Sequence, residues 1–279
     1  MIEKRGPRQK LAKLLWYGTI FVICVIMLLP FFWMFMSSFK SGLEIIRIPP
    51  TLWPEHFTFR NYSTIFRRLA FSRYFFNSFV VSGVSTVVAL FTSSLTGFVF
   101  SKYRFRGKEV IFMSFIGALM IPFAVTILPM YLLIAKLNLL NTYIGLILPM
   151  CVSPFGIFLM RQFMEGIPIE LVEAARLDGA SEFWIYRSIM VPLSSAALAG
   201  VGVFTFLWTW NQLWWPLMVI SKAKMRTLPL ALAALTWQHA KRYDMIVTGA
   251  AIAAIPVIII FAFAQQKLVK GITLTGIKV

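Results

Sequence analysis

The chain has 279 residues, of which 59% are hydrophobic and 13% charged, and its mean hydropathy is +0.80. This composition excludes an ordinary soluble domain and a disordered chain and selects the membrane class. A formal net charge of +17 raises the question of nucleic acid. No basic run is interleaved with a soluble fold, so the charge is read as loop anchoring to anionic lipid, and no nucleic-acid partner is expected.

A helix needs about 20 apolar residues to cross roughly 30 Å of hydrocarbon. Six windows without Asp, Glu, Lys or Arg are that long: 14–39, 74–101, 110–135, 137–160, 188–221 and 245–266. The expected fold is therefore an all-α membrane protein with six transmembrane helices. A basic tail, residues 1–13, precedes a first span over 14–39 that is too long for a cleaved signal-peptide core. A loop over 40–73 leads to a core of five helices over 74–266, and 267–279 forms a C-terminal tail. The charge-free stretch 227–240 has only 14 residues and reads as a loop or re-entrant segment.

Prolines inside the spans include Pro30, Pro122, Pro129, Pro149, Pro154, Pro216 and Pro256. Each reads as a kink whose freed carbonyl is satisfied by neighbouring helices or water. Cys24 and Cys151 also lie within spans, where they act as small apolar residues. With six spans both termini share one side. KLAK at the start and SKYRFRGKE after the second span are short and dense in positive charge, which puts that side in the cytoplasm.

Five of the ten acidic residues, Glu165, Glu170, Glu173, Asp178 and Glu182, crowd into the loop between spans four and five. Pro168 is suited to a helix start, where its missing N–H costs nothing. Glu170 suits the first turn of the helix dipole. Gly179 supplies a left-handed terminator and Ser181 a cap for the next short helix, which Pro192 ends. At 100° per residue, 169–178 places Glu170, Glu173 and Arg176 on one side. Leu171, Val172, Ala174 and Ala175 lie on the other, with Asp178 among them. The helix is too short to span a bilayer and too acidic to lie on anionic lipid.

The spacing Glu173-Ala174-Ala175, three residues, Gly179, nine residues, Ile189, one residue, Val191-Pro192 resembles the EAA loop of ATP-binding-cassette (ABC) importer permeases. Val191 stands where that pattern has Leu. Ile167-Pro168-Ile169-Glu170-Leu171, Trp210-Asn211-Gln212 with Trp215-Pro216-Leu217, Thr227-Leu228-Pro229-Leu230 and the tail Gly271 to Lys278 are also similar to the maltose-permease type of carbohydrate importer subunit. The resemblance covers spans two to six and the tail. It implies the type I ABC importer permease fold and a cytoplasmic coupling helix within the loop 161–192. Glu173, Ala174, Ala175, Arg176, Asp178 and Gly179 would dock on a cytoplasmic ATPase subunit. The implied partners are a homologous second permease subunit, an ABC ATPase dimer and an extracytoplasmic solute-binding protein, all at the cell membrane.

The sequence has no G-x-x-x-x-G-K-[ST] motif; Gly107-Lys108 is followed by Glu109. The chain is therefore expected to be a transport subunit rather than an enzyme, with no cofactor of its own and ATP held by its partners. There is no H-E-x-x-H, and His56 and His239 read as loop residues, so no metal site is expected. An ion-coupled secondary transporter is the rival from another class, but such proteins place ionisable residues within their spans.

The segment LWTWNQLWWPL offers Trp208, Trp210, Asn211 and Trp215 as pathway contacts. Aromatic rings stack on the apolar faces of sugars, and an amide bonds hydroxyls. An aromatic belt at the membrane interface explains Trp214 and Trp215 equally well. Ser93, Ser94 and Thr126 are weaker candidates, because such side chains often bond their own helix. A carbohydrate is the expected cargo, and the same family also admits glycerol-phosphate-type substrates.

Overall fold

The computed structural model describes residues 7–68, 70–238 and 242–275, and among these the regular structure is helical. In chain order the helices are α1 (Pro7–Ser37), α2 (Gly42–Ile45), α3 (Arg60–Arg68), α4 (Phe71–Lys102) and α5 (Lys108–Met120). They continue as α6 (Phe123–Lys136), α7 (Tyr143–Ile147), α8 (Pro154–Glu165), α9 (Ile169–Leu177) and α10 (Glu182–Ile185). The last are α11 (Val191–Leu193), α12 (Ser195–Trp210), α13 (Trp214–Val219), α14 (Leu228–Gln238) and α15 (Tyr243–Thr275).

Among the described residues, three helical segments are long and apolar enough to cross a membrane: Lys13–Ser37, Phe71–Lys102 and Tyr243–Gln265. The other three expected spans are bent pairs. Lys108–Met120 meets Phe123–Lys136 at 106°, Tyr143–Met150 meets Pro154–Glu165 at 41°, and Glu182–Leu193 meets Ser195–Trp210 at 81°. Up to six spans result if each pair crosses as one. The bends follow local chemistry. Ile121 is extended and Pro122, which has no N–H to donate, precedes the first turn of α6. Ser153 caps Gly156 N–H at 3.0 Å with Pro154 at the first position of α8. Pro122 and Pro154 thus start helices, while Pro30, Pro129 and Pro256 lie inside them.

The chain divides into two compact units, residues 1–70 with 232–254, and residues 71–231 with 255–279. The division runs through α14 and α15. In the first unit, α1 presents an apolar surface exposed throughout residues 13–32, as a lipid-facing or partner-facing span requires. Its end is tied down by polar bonds. Asn61 Nδ2 donates to the Ser38 and Lys40 carbonyls at 2.9 and 2.8 Å, and Thr248 Oγ1 donates to Ser38 O at 3.2 Å. Lys40 is buried, donates to Thr51 O and faces the Trp33 ring. Burial pushes its ammonium below the usual lysine range, against the opposing pull of Glu44.

In the second unit α4 is the axis, packed against α8 and α12. One face of α4 carries Ser78, Ser82, Ser85, Ala89, Ser93 and Gly97, all buried. This is the small-residue stripe that lets membrane helices approach closely. A Cβ on Gly97 would lie 2.6 Å from Met160 Cβ, and one on Gly156 would lie 2.4 Å from Ser93 Oγ. At the far end Asn77 is fully bonded. Its amide donates to the Lys224 and Arg226 carbonyls at 3.0 and 2.8 Å, and its oxygen accepts from Tyr143 at 2.6 Å.

Candidate coupling site

The acid-rich loop folds as the local sequence dictates. Pro168, at φ −55°, is the residue before α9, and Glu170 sits in its first turn. Gly179 has φ +80° and turns the chain out of α9, a conformation that costs other residues a Cβ clash. Ser181 Oγ then accepts the Trp184 N–H at 3.3 Å and starts α10. Pro192 falls within α11 rather than closing it, and the chain bends after Leu193.

One expectation needs correction. The apolar side of α9 is not a single docking face. Val172 and Ala175 are buried in the subunit's own core with Phe98, Met160, Met164, Ile185 and Tyr186. Leu171, Ala174, Asp178 and Gly179 line an open groove of about 760 Å³ with Ser181 and Trp184, and Ala175, although 8% exposed, contributes to the same lining. Val172 and Ala175 are three residues apart and point inward together, so the outward positions are those rotated away from them. Glu173 is exposed, whereas Arg176 is half-buried and engaged within the chain. Of the six expected coupling residues, Ala174, Ala175, Asp178 and Gly179 line the groove and Glu173 is exposed outside its lining. Leu177, 90% exposed, and Phe183 and Trp184 are further exposed apolar residues of this loop.

Arg176 is spent on holding the loop together. Its Nε and Nη2 donate to the Glu182 carboxylate at 2.6 and 3.1 Å, and its guanidinium lies 5.3 Å from the Tyr103 ring. Tyr103, just past the end of α4, donates to the same carboxylate. The Glu182 hydrogen bond holds the Arg176 guanidinium above the usual arginine range. Burial, reinforced by Glu182, pushes the Tyr103 phenol up. Lys102 donates to the Ile167 carbonyl, and Ser94 and Tyr186 share a 2.7 Å hydrogen bond. The groove is thus fastened to the end of α4 by two adjacent residues and from within by a third. A second clamp lies nearby. Arg161, only 9% exposed, donates to Glu109 at 3.1 and 2.9 Å and to Glu165 at 2.8 Å, with the Phe112 ring 3.9 Å away. The roles of Lys102, Tyr103 and Arg161 were missed in the sequence. The only signal there was their charge or aromatic character at the ends of apolar windows.

The four expected pathway residues separate into two pairs. Trp210 and Trp215 are each 1% exposed. Trp210 packs on Phe75 and Phe206, and Trp215 Nε1 donates to Gly145 O at 3.1 Å. Neither ring has a face open to a sugar in this conformation. Trp208 and Asn211 are exposed, and Asn211 closes α12 with its amide donating to Leu207 O at 2.9 Å. Of the weaker candidates, Ser94 is committed to Tyr186, Thr126 bonds Phe123 O at 3.0 Å, and Ser93 lies against Gly156. His56 is exposed in the loop after α2, and His239 lies outside the described residues.

Residues 89–274 match the family model described as binding-protein-dependent transport system inner membrane component. The chain is 36% identical over 260 residues, 92% of each protein, to the arabinooligosaccharides transport system permease protein AraQ of Bacillus subtilis (strain 168). It is 30% identical to the lactose transport system permease protein LacG of Rhizobium radiobacter, over 95% of this chain and 96% of that one. It is 34% identical, over 99% of each chain, to the sn-glycerol-3-phosphate transport system permease protein UgpE of Brucella abortus (strain 2308). Its fold is similar to a chain in the crystal structure of a bacterial ABC transporter involved in the import of the acidic polysaccharide alginate. The TM-score is 0.80 at 21% identity, covering 94% of this chain and 98% of that one.

Proposed function

The chain belongs to the family of binding-protein-dependent transport system inner membrane components, and from that premise we propose that it forms half of the translocation pathway of an ATP-driven carbohydrate importer. It is an ABC transporter permease embedded in the membrane. Energy reaches it through the groove on α9. Closure of a cytoplasmic ATPase dimer pushes on Leu171, Ala174, Asp178 and Gly179, and the ties through Glu182, Tyr103 and Lys102 carry that push to α4. The observation that carries this reading is the fastening itself. A partner-sized groove is open outward and hydrogen-bonded inward to the end of a continuous span.

The cargo is a carbohydrate delivered by an extracytoplasmic solute-binding protein, and a homologous second permease completes the pathway. AraQ and LacG, the named oligosaccharide and disaccharide transport relatives, support the carbohydrate reading. Both termini then lie in the cytoplasm, the side on which the ATPase works. A polyol phosphate is the second reading, favoured by the UgpE relatives that align over 99% of the chain. Reconstitution with the transporter's solute-binding protein, loaded with radiolabelled arabino-oligosaccharide, lactose or glycerol 3-phosphate, tests both readings. Uptake of the sugars alone supports a carbohydrate cargo, uptake of the phosphate alone supports the second reading, and uptake of none opposes both.

A further inference from the structure

The interior of the second unit brings together three hydroxyls that the packing does not satisfy. Ser82 Oγ on α4, Thr209 Oγ1 in the last turn of α12 and Thr227 Oγ1 just before α14 have no hydrogen-bond partner in the protein. Their residues are 1%, 7% and 4% exposed. All three line one cavity, beside Gln212 and the apolar walls of Leu146 and Trp215. Ser78, also in the lining, is already used, its Oγ accepting the Leu228 N–H at 2.7 Å. The other orphaned hydroxyls, Ser37, Ser85, Ser93 and Ser194, do not line this cavity.

Size and charge select the occupant. The space open to the centre of a water-sized sphere is about 10 Å³, which is room for one water and for nothing larger. No acidic or basic residue lines it, so a bare ion would be buried without compensation. A water has two donors and two acceptors, matching three hydroxyls and one amide. The site also lies at a place that needs such a ligand. Thr209 lies in the last turn of α12, and Asn211 and Gln212 fall in the break before α13; a broken helix in a membrane requires ordered water or neighbouring groups for its freed polar atoms.

We infer that this cavity binds a single water molecule, held by Ser82, Thr209 and Thr227, which joins the α12–α13 break to α4 and to the segment before α14. A hydroxyl buried without this ligand would bear its full desolvation cost three times over in one place. The water converts three separate orphans into one cross-link between elements distant in sequence.

X-ray radiolytic labelling of the assembled, nucleotide-free transporter in H₂¹⁸O tests the site, because radiolysis of a bound water labels the side chains beside it despite their burial. Trp215 lines the cavity and Trp210 does not, yet both are 1% exposed. Trp215 should take up label several-fold faster than Trp210 in the unmodified protein. Thr209→Val, which keeps the shape and removes one hydroxyl, should bring Trp215 down towards the Trp210 rate and lower the melting temperature. Equal labelling of the two tryptophans in the unmodified protein would overturn the inference. So would a Thr209→Val variant that melts at or above the parent temperature, since a dry cavity gains from losing an unmet hydroxyl.

Discussion

Arg176 and Glu182 are six residues apart, on opposite sides of the turn at Gly179, and meet through two hydrogen bonds of 2.6 and 3.1 Å. The pair folds the turn into a fixed wedge, and Tyr103 joins it to the end of α4 through the same carboxylate. Both side chains are about a third to a half exposed, so the pair contributes at most about 1 kcal/mol to stability. Its consequence lies in force transmission. Tyr103→Phe and Glu182→Gln should leave the subunit assembled with its ATPase but lower the uptake obtained per ATP hydrolysed. Paired measurements of substrate uptake and phosphate release in proteoliposomes check this, and an unchanged ratio in both variants would remove the link from the mechanism.

The α4–α8 contact should be intolerant of any added volume at its closest point. Gly97→Ala places a Cβ 2.6 Å from Met160 Cβ and 3.0 Å from backbone atoms of residues 160 and 161. Backbone cannot swing aside, so the change should cost about 1–3 kcal/mol. Gly83→Ala, on the same helix with no atom within 4 Å, should be neutral or slightly stabilising. Thermal melting of the purified complex distinguishes the two.

The tryptophan-rich segment should divide by burial. Trp215→Ala removes the bond to Gly145 and empties a core position, at about 3–5 kcal/mol, and should lower the yield of intact transporter. Asn211→Ala and Trp208→Ala remove exposed groups and should leave melting nearly unchanged while altering uptake per intact complex. Transport normalised to assembled protein is the quantity that separates them. An unchanged value for both would end the substrate-contact role.

Orientation is testable by chemistry from each side. A cysteine at Ser181 should react with a membrane-impermeant thiol reagent from the cytoplasmic face only, and one at Thr58 from the outer face only. The reverse pattern would place the groove on the wrong side for an ATPase.

What the sequence made legible was local. Gly179 and Ser181 could be assigned their roles from residue type alone, because a left-handed turn and a helix cap are decided by neighbours within a few positions. The helix breaks at 121–122, 151–153 and 194 were hidden, because a window free of charge reports solubility in lipid and says nothing about backbone continuity. Pro122 and Pro154 were visible but could not be separated from kinks, since proline suits both a helix start and a bend. The inward turn of Val172 and Ala175 was unreadable for another reason. A nine-residue helix with small residues on two sides has no single apolar stripe, and only the position of Met160 and Tyr186 decides which side is covered. Trp210 and Trp215 are buried by the same kind of long-range packing, which their sequence neighbours do not encode.

The central claim is that the outward groove on α9 receives the ATPase, and site-specific photo-crosslinking tests it most directly. A benzophenone amino acid in place of Leu171 or Ala174, both lining the groove, is compared with one in place of Trp53, exposed in the loop between α2 and α3. Irradiation of the assembled transporter should give an adduct with the nucleotide-hydrolysing subunit from the groove positions and none from Trp53. Adding Gly179→Asp, which strains the φ +80° turn by about 1–2 kcal/mol, should weaken that adduct. An adduct from Trp53 with none from Leu171 or Ala174 would contradict the account.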